Sequence, residues 1–155
     1  MVAVIPRLST EWILSFSLSM FTLHNPEDEP LYCNVIHFTQ NGDNKNYGDK
    51  TPMLNMLGSP MYTTMIFSSS INGIMKPKYF YVVPAVDGKT KYVISQRYVS
   101  GGHYRYQIQI DDVEVYSVIN SQAEQFYNVK VYASDPYHPK SCPGMIYDLE
   151  LTNFL

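Results

Sequence analysis

Charge is scarce in this chain. Only 16% of its 155 residues are Asp, Glu, Lys or Arg, and the formal net charge is −3. There is no basic footprint of the kind that nucleic acid demands and no polybasic patch for an anionic membrane surface. Long apolar runs are missing too. Nothing approaches the ~20 residues that a helix needs to cross a bilayer, and the apolar stretch 12–21 is interrupted by Ser15, Ser17 and Ser19. No Asn-x-Ser/Thr sequon occurs, so N-glycosylation gives no help on compartment. Cysteine is limited to Cys33 and Cys142. A bond between them would close a long loop and favour an oxidising compartment. The alternative is two free thiols with Cys33 buried in a strand, and the sequence leaves both open. Residues 1–7 are too short, and carry Arg7 on the wrong side, for a secretory signal. The chain is either cytosolic or the remainder of a protein whose signal lies upstream; the extracellular reading is the expectation here.

Helix-favouring Ala, Glu, Lys and Leu are also few, whereas there are 14 Tyr, 7 Phe and many Val and Ile. Those residues suit half-buried pleated surfaces. Ten Pro and eight Gly punctuate the chain as many short strands require. Residues 91–134 carry the clearest pattern. Tyr104, Tyr106, Ile108 and Ile110 share one parity, and 113–118 again alternates with period two. Gly101-Gly102 and Asp111-Asp112 separate these runs as hairpin turns. Four consecutive strands in an antiparallel meander are predicted. Further strands are expected at 11–22, 31–40, 52–57, 61–69, 79–83 and 145–154, where Ile146, Tyr147, Leu149 and Leu151 are the apolar positions. Asn72-Gly73 is a strong turn signal. No amphipathic helix exceeds two turns, and no repeat or low-complexity tract is present. The expectation is one all-β domain over 1–155, a two-sheet antiparallel jelly-roll sandwich, with 1–10 as a poorly ordered lead-in.

The order of WILSFSL at 12–18, NVIHFTQNG at 34–42 and a polar loop ending NYGDKTP at 46–52 resembles the concanavalin A-like jelly rolls. Within that superfamily the chain is most similar to laminin G-like and lectin-like modules. YVISQRYV at 92–99, the hairpin 104–118, FYNVKVYASDPY at 126–137 and the closing strand GMIYDLEL at 144–151 follow the same order. The resemblance covers roughly residues 11–155. It implies a last strand beside the first, and a binding module for glycan or a protein surface. Such folds also host glycosidases, so the architecture does not choose among them.

Two loops carry the candidate chemistry. In 41–51, Asp43, Asn44 and Asp49 offer the oxygen ligands that Ca²⁺ prefers, and relatives in the superfamily often hold Ca²⁺ at a rim. The spacing is not that of an EF-hand, and Lys45 and Lys50 oppose a cation, so a loop whose Asn and Asp bond their own backbone is the simpler reading. Asn46 and Tyr47 are candidate sugar contacts in the same loop. In 135–138, Asp135, Tyr137 and His138 combine a carboxylate, a ring and an imidazole, the groups that hold a sugar's hydroxyls and its apolar face. Tyr104, beside His103 and Arg105, is a further aromatic surface, against the plain alternative that strand tyrosines pack. Catalysis finds little: Glu27, Asp28 and Glu29 sit between prolines, and Asp112 and Glu114 share a parity, but Asp112 is in a turn. His24, His37, His103 and His138 show no metal-ligand spacing. His24-Asn25-Pro26 is similar to a short galectin fragment, but the Arg, Trp and Glu that accompany it in galectins are missing. The expected function is non-catalytic glycan recognition through rim loops, with protein adhesion as the alternative and a glycosidase as the remote one. A homo-oligomer is possible, and no membrane insertion or nucleic-acid partner is expected.

Overall fold

The computed structural model describes residues 1–20, 31–42, 44–58, 63–75, 77–83, 88–134 and 142–155. Among the described residues every regular element is a strand. They are β1 (Ala3–Leu8), β2 (Trp12–Met20), β3 (Leu31–Thr39), β4 (Met53–Gly58), β5 (Thr63–Ser68), β6 (Pro77–Val83), β7 (Lys89–Ser100), β8 (His103–Ile110), β9 (Val113–Asn120), β10 (Phe126–Tyr132) and β11 (Gly144–Asn153). Six of them form one antiparallel sheet, sheet A, in the order β1-β10-β3-β4-β5-β6, and five form sheet B, β11-β2-β7-β8-β9. The fold is an all-β, two-sheet jelly-roll sandwich.

Period-two patterning explains the layers. On β2, Trp12, Leu14, Phe16 and Leu18 are buried while the serines between them face outwards. On β8, Tyr106, Ile108 and Ile110 join the same core, which Ile36, Phe38, Leu54, Met56, Met65 and Phe67 close from sheet A. Phe16 stacks on Tyr92 at a centroid distance of 5.3 Å. Deleting any of these large buried side chains would cost about 2–5 kcal/mol. Three turns hold consecutive positive φ angles: Asn72 and Gly73 at 52° and 71°, Gly101 and Gly102 at 56° and 79°, and Asp111 and Asp112 at 49° and 64°. This is the type I′ geometry whose twist matches that of the flanking strands.

Three features differ from the sequence expectations, and a fourth decides between two alternatives that the sequence left open. Residues 3–8 are not a loose lead-in: β1 pairs with β10, with Ala3 opposite Val131 and Ile5 opposite Val129. Its Pro6 is tolerated because β1 is an edge strand. The run 91–134 is not one meander. β7, β8 and β9 are, but β10 crosses to sheet A between β1 and β3, because alternation marks the buried face of a strand and not its neighbour. On β11 a register shift between Tyr147 and Glu150 and a positive φ at Asp148 rotate Leu149 into solvent, leaving Ile146 and Leu151 against the core. Last, Cys33 and Cys142 are joined by a disulfide.

Candidate functional site

The outer face of sheet A holds an arrangement that the sequence did not announce. Leu54 and Met56 of β4 point into the core, so Asn55 between them faces the other way. Asn55 stands directly opposite Asn34 of β3, and an irregularity between Asn34 and Ile36 lets β3 present Asn34 outwards and Ile36 inwards. Asn34 is 1% and Asn55 4% exposed. Both atoms of the Asn34 carboxamide and the Oδ1 of Asn55 lack a hydrogen-bond partner. The Nδ2 of Asn55 donates to the Tyr32 hydroxyl, and Tyr32 reaches the surface. Ile66 lies next to Asn55 across β5, and exposed Phe80 lies next to Ile66 across β6. The result is a strand-borne pair of carboxamides, linked to a surface tyrosine and bordered by an apolar margin. A signal was present in the sequence: asparagine at the outer parity of two otherwise apolar strands, LYCNVIHFT and MLNMLG.

The 41–49 loop is organised from within. Asp49 is buried, and its Oδ1 accepts from Thr39 Oγ1 (3.1 Å) and Asn41 N (2.9 Å) while its Oδ2 accepts from Asn46 N (2.9 Å). Burial raises this carboxyl, but the amide donors of Asn46 and Asn41 and the Thr39 hydroxyl more than offset it and hold it below the usual carboxylate value. The His37 Nε2 lies 2.5 Å from the Asp49 carbonyl oxygen, which ties the loop to β3. Asp49 thus serves as an acceptor for its own loop. Among the described residues no group of three or more His, Cys, Asp or Glu is placed to hold a metal ion. Asn44 is described, and Asp43 lies outside the described residues.

Asn46, Tyr47 and Tyr104 occupy one end of the sandwich. The Tyr47 ring packs on Phe126, and its hydroxyl donates to the Gln122 carbonyl at 3.4 Å; burial pushes this phenol up. Tyr104 is opposite Asn120 on β9. Asn120 Oδ1 accepts from Gln122 N and Asn72 N. The Tyr104 hydroxyl accepts from Thr10 Oγ1 at 3.0 Å, and its ring meets exposed Tyr98 edge-on at 5.6 Å. Asp135, Tyr137 and His138 lie outside the described residues. Cys142, on the far side of that segment, is bonded to Cys33 near the start of β3, whereas the 41–49 loop follows the end of β3.

No family model matches this chain, and neither does any curated protein. Among solved structures it is similar to sheep galectin-11 in complex with glycerol. That likeness covers 97% of this chain and 95% of the galectin at 7% identity, with a TM-score of 0.44.

The carboxylates considered for catalysis do not converge. Asp112 pairs with Lys91 at 2.7 Å from within its turn. Glu114 is held by both oxygens to Arg105 at 3.1 Å and also accepts from Gln107. Each carboxylate is neutralised by its own cation on an exposed surface, which is not the cleft-facing pair that glycoside hydrolysis requires. Glu27, Asp28 and Glu29 lie outside the described residues.

Proposed function

We propose that this chain is a non-catalytic glycan-binding module that receives its sugar on the outer face of sheet A at Tyr32, with Asn55 and Asn34 buried behind it. The observation that carries this reading is the set of three carboxamide atoms of Asn34 and Asn55 left without partners. Buried amide groups are nearly always satisfied, and each exception calls for an explanation. A carboxamide offers two donors and two acceptor lone pairs, and that of Asn55 donates to the Tyr32 hydroxyl at the surface. Tyr32 and the exposed ring of Phe80 supply apolar surface along the same row of strands. The rim around Tyr104, Tyr98, Asn46 and Tyr47 is the competing location for the same activity.

A glycan array probed with the purified chain, with and without Ca²⁺, tests the reading. Binding is expected in both conditions, because the proposed contacts involve no metal. Tyr32→Ala should abolish it, while Tyr104→Ala should leave it unchanged. The reverse result moves the site to the rim, and a blank array with folded protein overturns the function. The second reading, a protein-contact module, is favoured by the exposed apolar side chains of β6.

A further inference from the structure

A β-sandwich has four edge strands, each with a row of backbone N–H and C=O groups that could template another strand. Three of the edges here are blunted. β1 is six residues long and contains Pro6 and Arg7. β11 is interrupted by its register shift and carries Asp148 and Glu150. β9 has a register shift against β8 and places Glu114 in an ion pair. β6 differs. Its proline and its register shift against β5 lie at one end, where Pro77 pairs with Ser68; from 79 to 83 it reads Tyr-Phe-Tyr-Val-Val, without charge, proline or glycine, in continuous register from Thr63–Val83 to Phe67–Tyr79. Its inner side chains, Tyr79, Tyr81 and Val83, pack against the core. Its outer ones, Phe80 and Val82, are 60% and 58% exposed.

We infer that β6 pairs antiparallel with β6 of a second copy of this chain, joining two copies of sheet A into one continuous sheet. The sequence of the strand is what selects a second copy as the partner. A two-fold axis through Tyr81 sets Phe80 opposite Val82 of the other copy on the outer face, and Tyr79 opposite Val83 on the inner face. Symmetry repeats both pairs. Aromatic residues opposite β-branched ones, or opposite one another, are among the favourable cross-strand combinations; this register gives four pairs of the first kind and, on the axis, Tyr81 opposite Tyr81. The contact would cover the two most exposed side chains of β6 and would run the outer faces of both sheets A together.

Sedimentation velocity on the oxidised full chain from 1 to 200 μM tests this. A dimer is expected at the upper end, and Val82→Lys should be monomeric there with an unchanged thermal midpoint, since Val82 is an outward-facing surface residue. Register is tested by mixing Phe80→Cys with Val82→Cys. A disulfide should form between the two different variants and not within either one alone. A wild-type chain that stays monomeric at 200 μM, a dimer that survives Val82→Lys, or cross-linking within single variants would each overturn the inference.

Discussion

Two buried polar side chains in this protein have opposite environments, and they predict opposite responses. Asn34 has a desolvated carboxamide without partners. An unsatisfied buried polar group costs stability that an apolar residue of similar shape does not. Asn34→Leu is therefore expected to raise the unfolding free energy by about 1–2 kcal/mol, read from urea denaturation. A destabilised variant would mean that Asn34 is bonded after all. Asp49 has three donors on its two oxygens. Asp49→Ala strands those donors and should cost roughly 3 kcal/mol. Because its carboxyl is held below the ordinary value of 3.8, the unfolded chain takes up its proton at a higher pH than the folded one. The contribution is present in full above that ordinary value and is lost as pH falls through it and into the lower folded value. Asp49→Asn should flatten this acid limb of stability, and an unchanged pH profile would count against the assignment.

At the level of the strands and turns, the link between 70 and 75 does more than reverse the chain. Asn72 holds a φ of 52°, its Nδ2 donates to the Ile119 carbonyl at 2.8 Å, and its Oδ1 accepts from Ser121 N at 2.7 Å and Ser121 Oγ at 3.1 Å. It thereby fastens the end of β9 to the turn after β5, across the two sheets. Asn72→Ala should cost about 2–3 kcal/mol, combining lost hydrogen bonds with a left-handed backbone that carries a Cβ. Asn72→Gly should recover the backbone share, roughly 1 kcal/mol. Equal losses in the two variants would show that backbone strain contributes nothing. The turn itself was legible from Asn-Gly alone, but its bonds to Ile119 and Ser121 were not, since they join positions almost fifty residues apart.

For the molecule taken whole, the chief constraint is the Cys33–Cys142 bond, which spans a sequence separation of 109. It ties the start of β3 in sheet A to the approach of β11 in sheet B, so it staples the two layers as well as the chain. Closing a loop of that size restricts the unfolded ensemble by roughly 4–5 kcal/mol on the chain-entropy account. The double variant Cys33→Ser, Cys142→Ser should lose about 3–5 kcal/mol by denaturant titration. A loss below 1 kcal/mol would mean that the sandwich holds its layers without it. The pairing could not be read from two cysteines so far apart in sequence, and both states stayed open until β3 and β11 were placed.

Strand positions, buried parities and the three type I′ turns followed from local chemistry. Alternation of apolar with polar residues sets which side of a strand is buried, and Asn-Gly, Gly-Gly and Asp-Asp accept positive φ wherever they sit. These are properties of a few adjacent residues, so a linear reading captures them. The sheet that β10 joins, the incorporation of β1, the disulfide, the facing of Asn34 with Asn55 and the unblunted edge at β6 all depend on which strands become neighbours. That choice is made by burying the apolar faces of two sheets against each other, a sum over the whole core that no local stretch of sequence contains.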